Sequence, residues 1–144
     1  MDIEKPIRDF LRKKLENDFI IYEKCKGYHR NNDETVFYDL VLKPEEHLIQ
    51  KGFHNGYFII EVKMFNKTDK VKYDTKFKDM LWQCIVYSYS DIIIEDNYIK
   101  PLFVLYYLAG DHTCDEHYHP WCNYLHFFVQ RGGVGTIKFM NEND

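Results

Sequence analysis

The chain has 144 residues, 45% hydrophobic and 29% charged, with a formal net charge of −4; this is ordinary globular usage, so a single folded domain over 1–144 is expected and bulk disorder is excluded. The longest apolar run, Leu102–Ala109, has eight residues against the roughly 20 of a membrane helix, and the charged start Met1-Asp2-Ile3-Glu4-Lys5 lacks the apolar stretch of a secretory signal. Four cysteines at 25, 84, 114 and 122, with no CxxC, fit a reduced, cytoplasmic protein with no membrane partner.

In chain order, Pro6–Asn17 reads as a helix: Pro6 suits a first turn, and Ile3, Ile7, Phe10, Leu11 and Leu15 recur at helical spacing. Phe19–Glu23 and Thr35–Leu42 read as strands, followed by a connection over Lys43–Asn55 with room for a short helix. Tyr57–Lys63 is a third strand. Tyr73–Ser90 is a long helix with Phe77, Leu81, Cys84, Ile85 and Ser88 on one stripe. Trp82, Val86 and Tyr89 give it a second apolar side, which predicts broad burial or a dimer contact. Leu102–Leu108, Tyr124–Gln130 and Gly135–Phe139 are further strands, and Gly132-Gly133 reads as a hairpin turn between two of them. The order helix, three strands, helix, strand predicts a mixed α/β domain with a central mixed sheet flanked by helices.

Three residues stand out. Asp39 interrupts the apolar run Val36–Leu42, where an ionised carboxylate needs a cation, a donor or a metal. Glu61 and Lys63 end the run Phe58-Ile59-Ile60-Glu61-Val62-Lys63 and, two apart on a strand, point to the same side. Adjacent strands can therefore join two carboxylates and an ammonium, a set that holds a hard divalent cation and activates water for phosphodiester hydrolysis. The triplet Asp/Glu-x-Lys by itself carries little: chance gives about 2.4 in this composition and the chain has two, the other being Asp74-Thr75-Lys76. On their own, Asp39 also reads as an edge carboxylate and Glu61–Lys63 as a strand-end ion pair. Gln83-Cys84-Ile85-Val86-Tyr87 tips the balance: it puts Gln83 and Tyr87 one turn apart on the following helix, an arrangement that chance supplies roughly 0.25 times per chain of this composition.

In these residues and their order the sequence resembles the PD-(D/E)xK nuclease superfamily, in its RecB-type branch with the Gln-x-x-x-Tyr motif, over roughly Pro6–Leu108. The resemblance implies a restriction-endonuclease-like core in αβββαβ order and a site built from Asp39, Glu61, Lys63, Gln83 and Tyr87. Asp39 and Glu61 would be metal ligands, with the Val62 carbonyl as a third and Glu16, late in the first helix, as the acidic residue many members place there. Lys63 would be the catalytic lysine. Tyr38 stands where the family's proline precedes the aspartate.

Positive charge concentrates at Lys63, Lys67, Lys70, Lys72, Lys76 and Lys78, so Lys67, Lys70, Lys72 and Lys76, with Lys13 and Lys14, are the expected backbone contacts. His112, Cys114, His117, His119 and Cys122 lie within eleven residues and carry ligand types that zinc takes, at a spacing that matches no closed structural site. The expectation is a nuclease cleaving DNA with Mg²⁺ or Mn²⁺, with RNA as an open alternative substrate. Lysines outnumber arginines 15 to 4, which fits a phage or low-GC bacterial source. Two alternatives stay open: a dimeric Holliday-junction-resolvase-like endonuclease, and a catalytically silent nuclease-fold protein that binds nucleic acid or a host factor.

Overall fold

A computed structural model describes residues 2–65, 70–110, 132–137 and 139; for 65, 70–74 and 110 it describes the backbone. The expected strand Tyr124–Gln130, the His/Cys group 112–122, and Lys67 lie outside the described residues.

Helix α1 (Lys5–Leu15) carries Pro6 in its first turn and Arg12, Lys13 and Lys14 in its last, both in keeping with the helix dipole and its unpaired end groups. Strand β1 (Phe19–Glu23) follows, then β2 (Lys26–His29), β3 (Glu34–Phe37), β4 (Leu40–Pro44), the short α2 (Glu46–Gln50) and β5 (Phe58–Phe65). The long helix α3 (Lys70–Ser88) leads to a hairpin, β6 (Asp91–Ile94) and β7 (Asn97–Ile99), and then to β8 (Val104–Gly110) and β9 (Val134–Thr136).

Among the described residues the strands form two sheets, one of five in the order β1-β4-β5-β8-β9 and one of four in the order β3-β2-β6-β7. In the large sheet β1, β4 and β5 are antiparallel neighbours, while β8 runs parallel to β5 across α3, and β9 runs parallel to β8. Its two faces carry separate cores, as strand alternation requires. Val41, Ile59, Val104 and Tyr106 pack with Phe77, Met80, Leu81 and Cys84 of α3. Leu40, Leu42, Phe58, Ile60 and Val62 pack with Ile7 and Leu11 of α1. The molecule is thus a mixed α/β structure whose central mixed sheet is flanked by helices.

The apolar run read as one strand over 35–42 is two. The chain leaves the small sheet after Phe37 and enters the large one at Leu40. Tyr38, buried between them, donates its amide to Cys25 O at 3.0 Å and shares a 2.6 Å hydrogen bond between its hydroxyl and Ser90 Oγ. Asp39 is therefore at the crossing between sheets, not in mid-strand. The second apolar side of α3 is uncovered in the protomer: Trp82 is 68% exposed and Tyr89 73%.

Candidate active site

Two antiparallel strands bring the acids together. Leu40 pairs with Ile60, and the same register carried one residue further sets Asp39 opposite Glu61. The Val62 amide donates to Asp39 Oδ2 at 2.8 Å, which fixes that carboxylate against β5. Val62 thus contributes its N–H to Asp39, while its side chain lies in the core beneath α1.

Glu61 projects from the face covered by α3 and is 3% exposed. Lys63 comes from the same face two residues later, and its Nζ stands 3.5 Å from Glu61 Oε1. Burial pushes the Glu61 carboxyl up to about 9, helped by the charge of Asp39 and a hydrogen bond to it, with Lys63 pulling the other way. Removing this acid from water disfavours its charge more than one ammonium restores it. Without a further cation, Glu61 is therefore held in its neutral form beside Asp39.

Helix α3 forms one wall. Gln83 Nε2 donates to the Tyr87 hydroxyl at 2.7 Å, and that hydroxyl donates to Phe37 O at 3.0 Å. Burial, followed by the charge of Glu61, pushes the Tyr87 hydroxyl up, so it stays a neutral donor. Its ring meets Tyr38 edge to face at 5.0 Å between centroids, so the sheet crossing and the helix lock each other. Cys84 is fully buried beneath the acids, where desolvation first and then Glu61 hold its thiol protonated. Lys76 Nζ donates to Met64 O at 2.5 Å, which anchors the start of α3 to the end of β5.

The acid that α1 brings near Glu61 is Glu4, at its N-cap, while Glu16 stands at its other end. Glu4 Oε2 accepts the Met64 amide at 3.2 Å, and its charge adds to the upward shift of Glu61. Glu16 is exposed at the opposite end of α1, about 18 Å along the axis at the helical rise. Lys13 and Lys14 share that far end, and Lys14 covers the ring of Phe10 at 5.7 Å. The Arg8 guanidinium, paired with Asp2, also feels Asp39 and Glu4, and all three acids favour its charge. The Ile7–Leu11 stripe sets which face of α1 is buried, but only the direction of α1 across β5 decides which end reaches the acids. The side chains of Lys70 and Lys72 lie outside the described set.

These donors fit a hard divalent ion. Mg²⁺ takes one or two carboxylates and keeps several waters, so an open pair suffices; among the described residues no group of three or more His, Cys, Asp or Glu is placed to hold a metal ion. The buried Glu61 beside Asp39 is the pair of side chains that could receive such a cation. Compared with family models, with curated proteins and with solved structures, the chain matches none.

Proposed function

We propose that this chain is a metal-dependent nuclease that hydrolyses phosphodiester bonds in DNA. The observation that carries the reading is Glu61, nearly sealed from solvent against Asp39 with Lys63 3.5 Å away. A carboxylate so placed is costly without a cation to receive it, which is what a catalytic metal site requires. The strand and helix order supports the same reading. Leaving out the short α2 between β4 and β5, the large-sheet strands and the two longer helices run α1, β1, β4, β5, α3, β8, then β9, which begins with the αβββαβ order of the restriction-endonuclease-like core, with the small sheet built from insertions.

Asp39 and Glu61 would hold Mg²⁺ or Mn²⁺. When bound, the ion supplies a water of lowered pKa and offsets the charge growing on the phosphate. Lys63 would orient the attacking water from the side of Glu61, its ammonium donating to the water oxygen. Gln83 presents its amide at the wall, held there by the Tyr87 hydroxyl and, through it, by the Phe37 carbonyl; Tyr87 is a positioning residue. Arg8 lies on the α1 side of the acids, where its charge stabilises a bound phosphate.

The test is cleavage of single- and double-stranded DNA and RNA in Mg²⁺, Mn²⁺ or EDTA by the wild type and Lys63→Ala. Metal-dependent cutting lost in the variant supports the reading and identifies the substrate. Cutting that survives Lys63→Ala, or none under any condition, overturns it; binding without cutting then favours the silent binding protein. A second reading, a homodimeric endonuclease, is favoured by the uncovered Trp82 and Tyr89 on α3, and a solution mass of one protomer removes it.

A further inference from the structure

The small sheet has one buried and one open face. Val36, Ile92, Ile94 and Ile99 turn inward onto the α3-side core. Alternation therefore sends Phe37, Lys26, Tyr28 and Tyr98 outward. Phe37 and Lys26 are directly opposed across β3 and β2, and Tyr28 follows two residues on. Tyr98, on β7, meets Tyr28 edge to face with centroids 6.2 Å apart. Phe37 is 65% exposed and Tyr98 55%, an unfavourable display for rings that the buried face could have taken.

The acids on this face are already engaged. Arg30 Nε donates to Asp91 Oδ2 at 2.5 Å, and the Tyr28 hydroxyl donates to Asp33. The charge left open beside the rings is Lys26. The Phe37 edge of this face is joined to the candidate active site through the backbone, because Phe37 O accepts the Tyr87 hydroxyl and Asp39 is two residues further on.

We propose that the outer face of the small sheet is a stacking platform for single-stranded nucleic acid, which delivers an unpaired strand to Asp39 and Glu61. Three aromatic rings on three of the four strands, Tyr28 against Tyr98 and Phe37 on the far side of Lys26, suit bases whose faces are free, with Lys26 set for a backbone phosphate. A duplex keeps its base faces stacked inside and has nothing to offer these rings. The platform deepens the nuclease reading and names its substrate as the unpaired strand.

The test is anisotropy of a labelled oligothymidylate of about 12 nucleotides, within the usual span of such sites, in EDTA so that no cutting occurs. Phe37→Ala and Tyr98→Ala each remove an exposed ring with little consequence for folding, checked by thermal melts. Each is expected to weaken single-strand binding roughly five- to a hundredfold, the range for one stacked base, while the weaker binding of the matching duplex stays unchanged. Lys26→Ala is expected to reduce the salt slope of log K by about 0.7, one phosphate contact on a single strand. Wild-type affinity in both aromatic variants, equal losses for duplex and single strand, or no single-strand binding by the wild type overturns the platform. Because the readout is binding without metal, platform and catalysis fail separately. Cutting with unaltered binding in the variants sinks the platform only; ring-dependent binding without metal-dependent cutting sinks the nuclease only.

Discussion

Glu61→Gln isolates the energetics of the buried acid, because it keeps the shape of the side chain and removes its titration. In the folded chain Glu61 holds its proton to about pH 9, against an ordinary value of 4.5. Between these limits the folded state binds more protons than the unfolded one, so this group's contribution to stability falls as pH rises. Over the whole interval the loss is at most about 6 kcal/mol, at about 1.36 kcal/mol per pH unit. Below about pH 5 the wild type and the variant should therefore melt together. Near pH 9 in EDTA the variant should be the more stable, with a Tm higher by about 10 °C or more at roughly 3 °C per kcal/mol for a chain of this size. Mg²⁺ or Mn²⁺ should narrow this gap at high pH by binding the ionised wild type, recovering about 2.7 kcal/mol at a hundred times Kd, and should leave the variant unmoved. The assay is circular-dichroism melting from about pH 5 to about pH 9, with EDTA or with metal. A wild-type minus variant difference that is flat across this range would refute the buried-acid argument, and equal metal stabilisation of both proteins would refute ligation by Glu61.

Other consequences are independent of that slope. A Cβ on Gly27 would lie 1.8 Å from the Tyr38 hydroxyl oxygen and 2.7 Å from the Asp91 carbonyl oxygen, so Gly27→Ala is expected to cost about 1–3 kcal/mol by overpacking; an unchanged denaturant midpoint would contradict it. Tyr87→Phe leaves the Phe37 carbonyl without its donor and is expected to cost about 1–3 kcal/mol, with activity falling more than metal affinity measured by calorimetry. Glu4→Gln should reduce metal-dependent activity while Glu16→Gln should not, a contrast that a single initial-rate comparison decides. Leu11→Ala, in the fully buried contact of α1 with the sheet, should cost about 2–5 kcal/mol by urea unfolding.

What was legible in the sequence was local. The stripe Ile7–Leu11 marks α1, the run Phe58–Val62 marks β5, and Glu61 and Lys63 must share a face because strand side chains alternate. The one-turn spacing of Gln83 and Tyr87 likewise holds on any α-helix. The hairpin β6–β7 escaped notice because its two-residue turn, Glu95-Asp96, adopts positive φ at both positions (51° and 65°) without the Asn-Gly or Asp-Gly signature of that turn. The run from Val36 to Leu42 looked continuous because hydrophobic pattern records burial and not which sheet does the burying. Only the fold splits it at Tyr38, where a bond to Ser90, 52 residues away, sets the crossing. The partnership of Asp39 with Glu61 depends on strand register, and the choice of Glu4 over Glu16 on the direction of α1 across β5. The open aromatic face of the small sheet depends on pairing β2 with β6, strands more than 60 residues apart. Such relations join residues distant along the chain, and no periodicity within one segment encodes them; the residue types of the candidate site belong to the sequence, and their assembly belongs to the tertiary structure.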